Sequence, residues 1–157
     1  MTLNQISPFL IYEESLKVYL IRHGEARDDG LRPLSEKGRN EVLSIAKKLS
    51  DKNIEIDEIF HSGKERAKET CEILTKNLFN HLPIKISQDL MPNSDVSIWG
   101  SILNMEIKNY LIVGHLPFLP ELTYYLTGEY IEFETANIVC LEKFPSSKWK
   151  VRWKIGP

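Results

Sequence analysis

From Leu16 onward, short apolar runs alternate with longer stretches in which apolar residues recur at helical spacing. The pattern predicts strands at 16–22, 57–61, 109–114, 137–143 and 148–154, with a weaker one at 83–87. Between them, Ser35 is placed to cap a helix that continues through Val42, Ile45, Ala46 and Leu49 and ends by Asp51 to Asn53. A second helix is predicted from about Lys64 to Leu78, with Ala67, Cys71, Leu74 and Leu78 facing inward. A third occupies 94–105, and a fourth runs over 117–127 until Gly128 stops it. Strands alternating with amphipathic helices predict an α/β protein with a mostly parallel sheet covered by helices.

The chain of 157 residues is long enough to bury one core without staples, so a single domain is expected over 16–157. Residues 1–15 form an N-terminal extension whose cluster Pro8-Phe9-Leu10-Ile11-Tyr12 lacks the basic flank and small-residue cleavage site of a signal peptide. It is expected to pack loosely on the domain or fray. No apolar run approaches the ~20 residues of a bilayer span, and a formal net charge of −2 offers no global field for nucleic acid or an anionic membrane. Cys71 and Cys140 are far apart in apolar segments, which suits two buried thiols in a reducing, cytoplasmic compartment rather than a disulfide or a metal site. No cofactor or metal is called for, and a monomer is expected.

The polar residues that interrupt this pattern cluster at strand ends. Arg22-His23-Gly24-Glu25 follows the first strand directly, joining a guanidinium, an imidazole and a flexible backbone position where α/β proteins carry their chemistry. That combination suits an anion such as phosphate and makes His23 a candidate nucleophile, although a surface histidine in an ordinary turn has the same local sequence. At the next strand end, His61-Ser62-Gly63-Lys64-Glu65-Arg66 places Arg66 in the first turn of a helix, where free amides and a guanidinium can seat an anion together. Lys64 is read as a solvated helix cation. A third strand ends in Val113-Gly114-His115-Leu116-Pro117. In a parallel sheet these ends share one edge, so Arg22, His23, Arg66 and His115 should converge on one crevice.

Taken together, these residues resemble the histidine phosphatase superfamily, also called phosphoglycerate mutase-like. Arg22-His23-Gly24-Glu25-Ala26 is similar to its signature, Ser62 to Thr70 to its Ser-x-x-x-Arg-Ala-x-x-Thr segment, and Val113-Gly114-His115 to its second histidine block. Arg32-Pro33-Leu34-Ser35-x-x-Gly38 and His115-Leu116-Pro117 resemble the SixA-type phosphohistidine phosphatases in particular. The resemblance implies a three-layer α/β/α sandwich in which His23 is transiently phosphorylated while Arg22, Arg66 and a cationic His115 hold the phosphoryl oxygens. It also implies that Ala136, in Thr135-Ala136-Asn137, brings a small residue and a backbone amide near the phosphate. Arg32 either touches substrate or pairs with an aspartate in Asp28-Asp29, with pairing the stronger expectation.

One departure from the wider family is informative. Where many phosphomonoesterase members carry a glutamate that protonates the leaving alkoxide, this chain has Pro92, and Leu116 rather than aspartate follows His115. General acid help is worth ~10²–10⁴-fold to a poor leaving group, whereas the nitrogen of a phosphoramidate departs as a neutral group once solvent protonates it. Asp89, Asp95 and Glu25 remain candidate acids, with Asp95 read as a helix N-terminal charge and Glu25 as a turn or supporting carboxylate. The expected activity is metal-independent hydrolysis of phosphohistidine on a partner protein in signal transduction. The alternatives are a small-molecule phosphomonoesterase or mutase and, in a different class, a phosphoprotein-binding module without turnover.

Overall fold

The structure, a computed structural model, describes residues 15–157. Apart from Ser15, the expected N-terminal extension lies outside the described residues. In chain order the elements are β1 (Leu16–Arg22), α1 (Glu36–Leu49), β2 (Glu58–His61), α2 (Glu65–Leu78), β3 (Ile84–Ile86), a 3-10 turn (Gln88–Leu90), α3 (Val96–Met105), β4 (Tyr110–Gly114), α4 (Phe118–Thr127), β5 (Ile138–Lys143) and β6 (Lys150–Ile155). The strands form one six-stranded sheet in the order β3-β2-β4-β1-β5-β6.

Successive side chains of a strand point to opposite faces, and each face of this sheet is covered. Tyr19, Ile21, Leu111, Val113, Ile138 and Cys140 pack with residues of α1 and α2, among them Val42, Ile45, Ala67, Cys71 and Leu74. Val18, Leu20, Tyr110, Ile112, Val139 and Leu141 face the other way, toward Trp99 and Leu103 of α3 and Phe118, Leu119 and Leu122 of α4. Burial on both sides is why the central strands read as unbroken apolar runs. The result is the three-layer α/β/α sandwich that the resemblance implied.

The helix caps follow the sequence closely. Ser35 accepts a hydrogen bond from the Gly38 amide, Asp95 accepts one from Ser97, and Gly128 ends α4 in the left-handed region at φ 81°. The inner face of α2 is less apolar than its pattern suggested: Thr70 and Thr75 are buried there, while Leu78 is only half-buried. Both hydroxyls bond to the carbonyl one turn back, at 2.8 and 2.6 Å, so they enter the core without a lost partner. Among the described residues no helix is long and apolar enough to cross a membrane.

Topology determines what meets at the sheet edge. The contiguous strands β2, β4 and β1 are mutually parallel, with His61 opposite Val113 and Arg22 opposite Gly114, so their carboxyl ends lie side by side. Strand β5 runs antiparallel to β1, with Ile138 opposite Ile21, which brings residues just before β5 to the same edge. The turn after β1 rests directly on the start of α1. A methyl group on Gly38 would lie 2.0 Å from the Glu25 carbonyl oxygen, and one on Gly24 would lie 2.7 Å from the Gly38 oxygen. Backbone cannot give way there as a flexible side chain could. Gly38→Ala is therefore expected to cost about 1–3 kcal/mol of stability, measured as a lower urea midpoint with an unchanged slope; an unaltered midpoint would contradict this contact.

Candidate active site

Four consecutive amides, from the last residue of β1 onward, are each held by a different part of the fold. The Arg22 N–H donates to the Asn137 carbonyl at 3.1 Å, His23 to Gly114 at 3.1 Å, Gly24 to the Thr70 hydroxyl at 3.1 Å, and Glu25 to the Glu41 carboxylate at 2.9 Å. The segment before β5, strand β4, helix α2 and helix α1 thus each supply an acceptor to this one turn. From the opposite direction, the Ala136 N–H donates to the Arg22 and His23 carbonyls at 3.0 and 3.1 Å.

The His23 ring that this turn carries is 8% exposed. Its Nδ1 lies 2.7 Å from the Gly24 carbonyl oxygen, and its Nε2 receives the Arg66 Nε–H at 3.2 Å. A carbonyl can only accept and a guanidinium can only donate, so both contacts are satisfied by one form: neutral, with the proton on Nδ1 and a lone pair on Nε2. Burial, followed by the charges of Arg66, Arg22 and Arg32, lowers the pKa of the ring to about 4 even though the Gly24 bond favours protonation. Nε2 is therefore unprotonated at neutral pH, its lone pair accepting the Arg66 Nε–H, which must swing to a phosphoryl oxygen before the nitrogen can attack.

His115 stands beside it, with ring centroids 5.1 Å apart. Its Nε2 lies 2.6 Å from the Ser62 hydroxyl, and that hydroxyl also accepts the Lys64 amide at 3.3 Å. Burial first, then His23, Arg66, Lys64 and Arg22, lower its pKa to about 3. With no anion between them, burial and the nearby cations Arg66, Lys64 and Arg22 favour the neutral ring over the expected imidazolium. Among the described residues, His115 Nδ1 and Arg22 Nε are the buried side-chain nitrogens without a hydrogen-bond partner. Buried donors are almost always satisfied, and leaving one bare costs about 1–3 kcal/mol. Both belong to residues that the sequence assigned to an anion site.

The Arg22 guanidinium is anchored by Nη1 on the Phe133 carbonyl at 3.0 Å, and burial lowers its pKa against the opposing pull of Glu41 and Glu134. Arg66, the second residue of α2, is likewise shifted down by burial and by its neighbours Arg32 and Arg22. Three guanidinium groups thus repel one another around two neutral imidazoles, an arrangement that an oxyanion would relieve. Among the described residues no group of three or more His, Cys, Asp or Glu side chains could hold a metal ion.

Other expectations fare differently. The ion pair of the 28–32 loop is made by Arg27 with Asp29, not by Arg32, whose backbone takes a left-handed φ of 57°. Arg32 is exposed and its charge acts on both His23 and Arg66. Ala136 is fully buried in a left-handed conformation at φ 60°, and its amide is consumed by the Arg22 and His23 carbonyls. It braces the turn, and its own N–H is already paired with those two carbonyls. Lys64 is not merely solvated: half-buried at the N-cap of α2, it contributes to the depressed basicity of His115.

Of the candidate acids, Glu25 accepts the Ser35 hydroxyl at 2.8 Å and lies 3.6 Å from Lys37. Asp95 caps α3, and the Ser97 amide holds its carboxyl below the usual range. Asp89 is exposed on the 3-10 turn. Sequence reasoning passed over Glu41 and the Thr135 hydroxyl that donates to it at 3.0 Å. Neither stands at a strand end, and nothing in an amphipathic helix marks one polar residue as reaching a turn 16 positions earlier. Ser62 and Thr70 lay inside a recognised segment, but their partners, His115 and the Gly24 amide, could not be read from it.

The family model of the histidine phosphatase superfamily (branch 1) matches residues 18–94, a span that includes Arg22, His23 and Arg66. Phosphohistidine phosphatase SixA of Escherichia coli (strain K12) is 26% identical over 156 residues, covering 90% of this chain and 94% of that protein. A solved structure of the protein histidine phosphatase SixA complexed with tungstate superimposes with a TM-score of 0.82 at 28% identity, over 90% of this chain and 97% of that one. The fold is shared more widely, as with phosphoglycerate mutase from Bacillus anthracis str. Sterne at a TM-score of 0.68 and 16% identity, over 88% of this chain and 92% of that one. A tied turn carrying a neutral histidine, with a second histidine and two arginines beside it, thus lies in a chain whose residues 18–94 match the histidine phosphatase superfamily (branch 1) and whose sequence and fold are similar to those of SixA-type phosphohistidine phosphatases.

Proposed function

We propose that this protein is a phosphohistidine phosphatase that removes an N-phosphoryl group from a partner protein through a phosphorylated His23. The observation that carries the reading is the Nε2 lone pair of His23, set by the Gly24 carbonyl on one side and the Arg66 guanidinium on the other. In the first step Nε2 attacks phosphorus and the substrate P–N bond breaks, its electron pair returning to the leaving imidazole nitrogen, which takes a proton from solvent. In the second, water attacks phosphorus, the bond to Nε2 breaks, and inorganic phosphate leaves with the lone pair restored to His23.

Negative charge spreads over the equatorial oxygens during both transfers, so catalysis is mainly alignment plus positive groups already in position. Arg22, Arg66 and the rim residue Arg32 supply the charge, which suits a reaction that needs no metal. Neutral His115 can contribute a directed donor: in the tautomer whose Nε2 accepts the Ser62 hydroxyl, the proton stands on Nδ1, which has no other partner and is free for a phosphoryl oxygen. Preference for a P–N bond over an ester is supported by the carboxyls, since Glu25 and Asp95 are engaged elsewhere and Pro92 has no proton to give. The tungstate bound to the SixA relative is an oxyanion of the kind such a pocket would hold.

Three outcomes test this reading. Phosphate release from phosphohistidine should exceed that from p-nitrophenyl phosphate or phosphoserine, and His23→Ala should abolish both turnover and the phosphoenzyme trapped by acid-free quench; a turnover number equal to wild type in that variant would sink the mechanism. Arg66→Ala should lower kcat/KM by the equivalent of about 1.5–3 kcal/mol, the worth of a charge-assisted hydrogen bond, with the fold retained by circular dichroism. Because attack requires the neutral ring and a proton binds only as pH falls through about 4, kcat/KM should hold on the acidic side well below the ordinary histidine value of about 6.5. An acidic limb centred on that ordinary value would contradict the buried, cation-flanked ring.

A further inference from the structure

We infer that Glu41 is a positioning residue that holds the proton of His23 on Nδ1 through a single peptide unit, an inference that rests on the reading of His23 as nucleophile. The Gly24 carbonyl and the Glu25 N–H are the two ends of one planar trans peptide. The carbonyl end receives the His23 Nδ1–H at 2.7 Å, and the N–H end donates to Glu41 Oε1 at 2.9 Å. Turning that plane would break both bonds at once.

Glu41 is itself immobilised. It sits on α1 beside the buried Val42, and its second oxygen, Oε2, accepts the Thr135 hydroxyl at 3.0 Å. Thr135 adjoins Ala136, whose amide holds the Arg22 and His23 carbonyls. The carboxylate therefore links the helix, the turn carrying His23 and the segment before β5. It also acts electronically: a negative charge at the N–H end of an amide draws that proton and enriches the carbonyl oxygen, which grips the imidazole proton more firmly and leaves Nε2 more basic. A carboxylate bonded directly to a catalytic imidazole does the same work in hydrolases with a Ser-His-Asp triad; here the effect crosses one peptide bond. With Glu25 engaged by Ser35 and Lys37, Glu41 occupies the place from which this can be done.

The test compares Glu41→Ala and Glu41→Gln with wild type in three measurements: the His23 tautomer by ¹⁵N resonance in the free protein, the rate of phosphoenzyme formation from phosphoramidate, and the melting temperature. Glu41→Ala should shift His23 away from the Nδ1–H form and slow phosphorylation by about tenfold to a hundredfold, with KM within about threefold of wild type. Glu41→Gln keeps an oxygen for the Glu25 amide and an NH₂ for Thr135 but removes the charge, and should recover most of the tautomer signal and only part of the rate. If Glu41→Ala fails to fold, Thr135→Val, which frees only Oε2, should move both readouts in the same direction by less. An unchanged tautomer in the folded variant, or a rate loss with the tautomer unaltered, would overturn the inference. The resonance measurement needs no substrate, so it separates failure of this inference from failure of the proposed activity.

Discussion

The hydrogen bond from His23 Nδ1 to the Gly24 carbonyl, 2.7 Å long and made within one turn, is the constraint on which the site depends. It decides which ring nitrogen is free, and it holds only while the turn keeps its shape. Much of the surrounding architecture serves that end: β4, α2, α1 and the segment before β5 each accept one of its four amides. The two glycines that let the turn lie on α1 are part of the same constraint, because a side chain on either would push the backbone away from its acceptors.

The second organising fact is electrostatic. Arg22, Arg32 and Arg66 are brought near one another and near two buried imidazoles, and burial together with these positive neighbours lowers the pKa values of both histidines and of Arg66, while burial alone lowers that of Arg22. Each positive group suppresses protonation of the rings, so the cations that would bind a phosphoryl group also keep His23 in the form able to attack it. In the proposed mechanism the nucleophile is thus activated without a dedicated base: the fold removes competing protons instead of supplying an acceptor for them.

Much of this was legible in the chain. The strand and helix assignments follow from apolar spacing because β1, β4 and β5 are buried on both faces and α1 on one, and convergence of Arg22, His23, Arg66 and His115 follows from parallel pairing of β2, β4 and β1. What escaped were relations between side chains whose positions depend on packing. Arg27 took the aspartate expected to pair with Arg32, Ala136 spent its amide on the backbone, burial pushed the His115 pKa down, and Glu41 reached a turn from the adjacent layer.

The amino-acid sequence by itself determined the layer architecture, the strand ends at which chemistry could occur, and the absence of a glutamate at Pro92. These depend on residue type and period, which are local. Tertiary structure alone decided the protonation of the two histidines, the partners of each arginine and the role open to Glu41. Those properties arise from distances of a few ångströms between residues remote in the chain, where burial and charge act together.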